Sequence, residues 1–262
     1  MTLLVAVLAA DAVVVGADSA ATMGALGTQT IRQMTSSKVE VVADRALMAV
    51  SGSVGLGQRL ISELSTYLTG TKVPSSQPKA MDDLRKRFDP IISGEWKAAS
   101  AAAPVIGGQT AATSALTHSI VAMCIGGQPA LFQFDQQGAP EHATVNLPFV
   151  CAGSGMTIAD PLMGFHRSTF WEEGVLPTLN QALFAVVWTL AESIALGPQG
   201  VSGPIHLYTL TKNGAACVAR EVPAAELGEH QQAVQDAKEH FKAFRSLVAG
   251  GVIPPIPTPQ GN

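Results

Sequence analysis

Thr2-Leu-Leu-Val-Ala-Val-Leu8, followed after Ala9-Ala10-Asp11 by Ala12-Val-Val-Val-Gly-Ala-Asp18, is the stretch from which the fold can be read. Two short apolar runs, Leu3 to Leu8 and Ala12 to Ala17, flank a tripeptide that can turn, which predicts a β-hairpin at the very start of the chain. Leu3 to Ala10 also has the apolarity of a secretory signal. The first Lys or Arg is Arg32, however, and Asp11 interrupts the run, so the basic lead-in of a signal is missing and the segment reads as part of the folded protein.

Working outward, Val39 to Val42 and Ala46 to Val50 flank Asp44-Arg45 as a second hairpin. Leu56, Leu60, Ile61, Leu64 and Leu68 then recur at helical spacing. A further helix is expected over 80–88, with a weaker amphipathic stretch through Trp96, and 98–114 reads as a loop of small residues punctuated by Gly and Pro. Ile120 to Ile125 and Ala130 to Phe134 form a third hairpin about Gly126-Gly127. After Val150 to Ala152 come Gly153-Ser154-Gly155, a helix around 161–170, and a long helix from Pro177. Asn180, Gln181 and Glu192 make that last segment too polar for a comfortable membrane span, so it reads as a core helix. Ile205 to Leu210 and Ala215 to Val218 pair about Asn213-Gly214, a combination suited to a type I′ turn.

The order of strands, helix pair, strands, helix pair, strands is satisfied by an α+β architecture, a four-layer αββα sandwich. Residues 2–221 would form that domain. Leu227, Val234, Phe241 and Val248, with Ala237 and Phe244 between them, mark an amphipathic helix within 222–250, and 251–262 is a proline-rich tail expected to be extended.

Of 262 residues, 47% are hydrophobic and 14% charged, with a formal net charge of -4, which describes an ordered globular chain with no electrostatic footprint for nucleic acid or an anionic membrane. Proteins or peptides are the partners this composition suits. Cys124, Cys151 and Cys217 are odd in number and lie in apolar strand-like runs, the usage of buried free thiols in a reducing cytoplasm. The six histidines have no metal-ligand spacing. Gly52, Gly55 and Gly57 lie between a strand and a helix as a phosphate loop would, but not in the Gly-x-Gly-x-x-Gly order.

Thr2 follows the initiator Met, and its small side chain permits removal of Met1, which would leave a hydroxyl and a free α-amine on one residue. Taken together, Thr2-Leu-Leu-Val, Ala12-Val-Val-Val-Gly-Ala-Asp18, Ser37-Lys38-Val39, Met48-Ala-Val-Ser-Gly52 and Ala152-Gly-Ser154-Gly155 stand in an order that resembles proteasome β-type subunits. The resemblance extends from Thr2 to Val218, and the fourteen positions from Lys38 to Gly52 match the family's step. Details around Lys38 and Ser154 are similar to bacterial HslV-type peptidases. The length and C-terminal helix resemble those of the betaproteobacterial proteasome homologue.

The resemblance implies a threonine peptidase of the N-terminal-nucleophile type. A threonine hydroxyl needs a base, and an α-amine of pKa about 7.7–8.0 is suited to that near neutral pH. By family position Lys38 would sit beside the hydroxyl, with Asp18 holding it. The N–H of Gly52 would serve the oxyanion, since a residue without Cβ admits a peptide carbonyl closely. Ser154 and Gly155 would support the Thr2 amine, and Ser202 would act as a further serine near the penultimate strand. Ala21, Val50 and Gln58 would line the primary specificity pocket. No cofactor is required. A sodium ion on the carbonyls of Gly203, His206 and Thr209 would follow the HslV-type pattern. Two departures stand out: Ala20 replaces the family's Arg, and 195–203 contains no Asp.

The resemblance further implies a bacterial cytoplasmic enzyme that stacks with itself in rings of six or, by preference, seven subunits, acts on protein or peptide substrates, and can be served by an ATPase unfoldase. A non-peptidase amidohydrolase and a catalytically silent scaffold are the rival readings.

Overall fold

In the computed structural model the central strands of each sheet are buried on both faces, and this is why their sequence runs are continuously apolar rather than alternating. The structure describes residues 2–23, 30–33, 37–70, 72–106, 116–197, 200–245 and 249, with no side chains described at 21–23, 30–33, 103–106 and 243.

The opening hairpin is present as β1 (Leu4–Leu8) and β2 (Ala12–Ala17), every residue of which is buried. A two-stranded ribbon follows, β3 (Ala20–Met23) with β4 (Thr30–Gln33). The second hairpin is β5 (Val39–Val42) with β6 (Ala46–Gly52), closed by Ala43 and Asp44 at positive φ. Next come α1 (Val54–Gly70), α2 (Gln77–Ile106), β7 (Thr117–Ile125), β8 (Gln128–Phe134), β9 (Pro140–His142) and β10 (Phe149–Ala152). The chain continues with α3 (Met156–Phe170), α4 (Leu179–Leu196), β11 (His206–Asn213), β12 (Ala216–Glu221) and α5 (Ala224–Ala243).

One antiparallel sheet has the order β10-β1-β2-β11-β12 and the other β5-β6-β7-β8-β9. Leu4, Ala6, Val13 and Val15 meet Leu47, Ala49, Ile120 and Leu131 between the sheets. Leu3, Val5 and Val14 instead face Met163, Leu183 and Val186 of α3 and α4, and Met48, Val121 and Phe132 face Leu60, Leu64 and Phe88 of α1 and α2. The fold is therefore the four-layer αββα sandwich.

Several expectations need correction. Residues 98–106 continue α2 rather than forming a loop, because Ala98 and Ala101 to Ala103 are strong helix formers; 107–115 lie outside the described residues. The β3–β4 ribbon and the short β9 have too little apolar periodicity to be read beforehand. The last hairpin turns at Gly214-Ala215, with Asn213 paired to Ala216, and its glycine-first order with φ +63° at Gly214 belongs to type II′ rather than I′. In the C-terminal helix Leu227, Val234 and Ala237 pack onto the core, whereas Phe241 and Phe244 are half-exposed. Val248 and the proline tail lie outside the described residues.

The long helix α4 is the one described helix apolar and long enough to cross a bilayer. Here it is a core element, packed on β1, β2, α3 and α5. Thr178 and Gln181 form a capping box at its start, and Gly197 in the left-handed region ends it. It lies so close to β2 that a Cβ on Gly16 would meet Leu190 Cδ1 and Val186 Cγ1 at 2.6 Å each. Gly16→Ala should therefore lower stability by about 1–3 kcal/mol, read from urea unfolding.

His166 on α3 is 1% exposed and stands among Phe170, Phe184 and Trp188, with ring centroids 5.3–6.1 Å away. Neither ring nitrogen finds a hydrogen-bond partner among the described residues, and burial lowers its pKa from 6.5 to about 4. The unfolded chain then takes up a proton near pH 6.5 that the native one resists until about pH 4. Stability is full above pH 6.5 and should fall by about 3 kcal/mol as pH drops through that window. His166→Phe should flatten this slope in denaturation curves measured from pH 7 to 4.

Candidate active site

Register brings one set of strand ends together. Leu4 pairs with both Ala17 and Ala152, and Ala17 also pairs with His206, so the start of β1, the ends of β2 and β10 and the start of β11 share one end of the first sheet. Leu4 and Ala6 face the second sheet, and the two-residue alternation of a strand carries Thr2 to that same side. Thr2 is half-buried. Its backbone nitrogen donates to Ser154 Oγ at 3.4 Å, and its carbonyl accepts from Gly155 N–H at 3.3 Å and from Ser154 Oγ at 3.5 Å.

This contact between the two chain segments requires glycines. Gly153 has φ +93°, and a Cβ there would meet the Thr2 carbonyl oxygen at 2.2 Å. A Cβ on Gly155 would come within 2.9 Å of Leu3 Cβ. At the end of β6, Gly52 has φ +117° and no room for a Cβ, which would lie 2.2 Å from the Leu116 carbonyl oxygen. Gly57 is packed against Val50 and Gly55 faces open space, so the three glycines do not act as one phosphate cradle.

Asp18, fully buried, is the centre of the polar network. Its Oδ1 accepts from Leu3 N–H at 2.7 Å and from the Lys38 ammonium. Its Oδ2 accepts from Ala20 N–H at 3.0 Å and Ser202 N–H at 3.4 Å. The Lys38 side chain is 7% exposed. Burial lowers its pKa from the usual lysine value, and the opposing attraction of Asp18 is the smaller effect. A lysine so placed exchanges its proton more readily than a solvated one.

The structure thus gathers Thr2, Asp18, Lys38, Ser154, Gly155 and Ser202, with Gly52 at the neighbouring strand end, where Val50 N–H donates to the Lys38 carbonyl. Ser202 enters through its backbone: its N–H reaches Asp18 and its carbonyl accepts from Ser19 N–H at 2.9 Å. Of the pocket residues, Val50 is half-buried against the first turn of α1 and Gln58 is exposed on that helix. Ala21 stands opposite Arg32 in β3, and its side chain lies outside the described residues.

The residues read for a monovalent cation follow one another along the approach to β11 and into that strand. Gly203 precedes β11, His206 begins it, and Thr209 is mid-strand between β2 and β12, paired with Val14 and Arg220.

Ser51 is a residue that sequence reasoning missed. It continues the inward series Leu47, Ala49 on β6, and its Oγ lies 3.1 Å from where a Gly153 Cβ would be, the same point that is 2.2 Å from the Thr2 carbonyl oxygen. His118, its register partner, lines a cavity of about 400 Å³ with Cys151, Met156 and Asp160. The signal was available: a polar residue on the inward parity of an otherwise apolar strand.

A threonine at the start of a strand, next to a residue that shares a buried carboxylate with a buried lysine, at one end of an αββα sandwich, is the arrangement of the N-terminal-nucleophile hydrolase fold. A family model described as proteasome subunit matches residues 2–173, and the chain belongs to that family. Comparison with curated proteins found no match. Among solved structures it is similar to Anbu (ancestral beta-subunit) from Yersinia bercovieri, at 13% identity over 98% of this chain and 100% of that one, with a TM-score of 0.66. It is also similar to the Anbu (Gly-1) mutant from Hyphomicrobium sp. strain MC1 (17% identity, 98% and 100% coverage, TM-score 0.64). A third similar structure, titled the helical assembly of the Anbu complex from Pseudomonas aeruginosa, has 19% identity, 99% and 100% coverage and a TM-score of 0.64. At these identities the likeness is one of fold.

Asp18→Ala should destabilise the protein by about 3–5 kcal/mol, since it breaks a buried ion pair and takes the acceptor from three backbone N–H groups. Asp18→Ala with Lys38→Met should recover the electrostatic part but not the part due to the three backbone N–H groups. Guanidinium unfolding of the two variants separates these contributions.

Proposed function

We propose that this protein is a threonine-type endopeptidase subunit that cleaves peptide bonds through an acyl ester on Thr2 after Met1 is removed. The observation that carries the reading is the Thr2 nitrogen, held 3.4 Å from Ser154 Oγ at the strand end tied to the buried Asp18–Lys38 pair. With Met1 gone, that nitrogen is an α-amine. It takes the Thr2 hydroxyl proton as the oxygen attacks a peptide carbonyl, and Gly52 N–H stabilises the oxyanion. The amine then gives its proton to the leaving nitrogen, and later activates the water that cleaves the ester. Lys38 favours the neutral amine by charge repulsion.

Self-association belongs to the same reading. One structural neighbour is titled a helical assembly, and a closed ring differs from a helix of the same subunit only in whether the rotation closes. Stacked rings enclosing Thr2, of six or seven subunits, would restrict access to unfolded chains, and an ATPase could supply these. Bacterial cytoplasm is the matching location.

A silent scaffold is the second reading, favoured by the lack of an Asp in 195–203 and by Ser202 contributing only its backbone to the observed network. Intact mass and a peptide epoxyketone, which needs hydroxyl and free amine together, distinguish the two. The peptidase reading expects protein lacking Met1 that gains one label, and a loss of at least about a thousandfold in peptide hydrolysis on Thr2→Ala. Processed protein that resists labelling and has no hydrolysis above the Thr2→Ala background would establish the scaffold.

A further inference from the structure

The sandwich has a second end, away from Thr2, where the hairpin tips of the two sheets meet. The β7–β8 turn and the β11–β12 turn approach so closely that a Cβ on Gly127 would lie 3.4 Å from the Ala215 carbonyl oxygen. Cys124 stands just before the first tip and Cys217 just after the second. Both belong to the core between the sheets, Cys217 buried within it and Cys124 half-buried against it, and Cys124 is near enough to help raise the Cys217 pKa. Two thiols that converge from facing sheets beside hairpin tips that touch are placed for a disulfide between the sheets.

We infer that Cys124 and Cys217 are a redox-modification site, forming a reversible intrachain disulfide that clamps the two sheets together under a peroxide oxidant. Cys124, the more exposed thiol, attacks hydrogen peroxide: the O–O bond breaks, one oxygen leaves as water and Cys124 becomes a sulfenic acid. The Cys217 sulfur then displaces that hydroxyl, its proton leaves with it as a second water, and the S–S bond forms. Two thiols are oxidised and one peroxide is reduced to two waters. Burial first, and then the hydrogen bond with Cys124, push the Cys217 thiol up to about 12. Cys151 does not compete, being buried on β10 at the nucleophile end of the opposite sheet edge. The inference is independent of any peptidase activity.

The test uses the full-length protein, treated with hydrogen peroxide, quenched in acid, unfolded, alkylated and mapped by mass spectrometry. One alkylated cysteine, Cys151, and a Cys124–Cys217 cross-linked peptide that dithiothreitol releases are expected. The oxidised form should melt higher by roughly 5–10 °C, because the bond closes a long loop. Cys124→Ser, the milder of the two substitutions, should abolish both effects. Full alkylation of Cys124 and Cys217 after oxidation, or a bond made instead by Cys151 or between two chains, would overturn the inference.

Discussion

A carboxylate removed from water must find compensation for several kcal/mol of lost hydration, and Asp18 finds it in four donors from four different places. Leu3 N–H brings the start of β1, Ala20 N–H the start of β3, Ser202 N–H the approach to β11, and Lys38 the approach to β5. None of these segments can move without leaving a buried charge short of a partner. The site end of the sandwich is thus held by one side chain. It also follows that the Lys38 ammonium has a fixed address, because removing it to solvent would strand the carboxylate.

The second constraint is steric. Ser154 can reach Thr2 only because Gly153 has no side chain where the Thr2 carbonyl oxygen lies, and Gly52 can end β6 only because Leu116 leaves no space for a Cβ. These two glycines have positive φ, so replacement by any L-residue meets both conformational and contact penalties. The hydrogen-bond network and the glycine contacts are complementary: the first fixes which segments meet, the second how closely.

Much of this was legible in the amino-acid order. β1, β2, β5, β6, β7 and β8 could be read because they are apolar runs bounded by turn residues, and α1 and α4 because their periodicity is helical. The glycines of the site were legible because sharp turns and close approaches select that residue. What could not be read depends on context. Ser202 looks like a hydroxyl donor in sequence, yet a backbone N–H meets Asp18, and no side-chain identity reports that. The Ala-rich end of α2 was ambiguous because small residues and nearby glycines suit a loop as well as a helix.

Parity explains why the site lies where it does. The hairpin register places Leu4, Ala6 and Val13 between the sheets, and the same alternation directs Thr2 toward the second sheet and Ser51 toward the first. A slip of one residue in β1 would expose Thr2 to the α3–α4 side and put Leu3 into the polar network, inverting both the core and the chemistry. The apolar residues of β1 therefore act at a distance on the nucleophile: their burial fixes the register, and the register fixes the direction in which Thr2 points. At the other end of the same strands, that register also determines which thiols face each other. Cys217 is on the inward parity of β12, as are Ala219 and, across the gap, Ile120 and Ala122 of β7, whose series ends at Cys124. A single alternation, set by the packing of the core, assigns a hydroxyl to one end of the space between the sheets and a pair of thiols to the other.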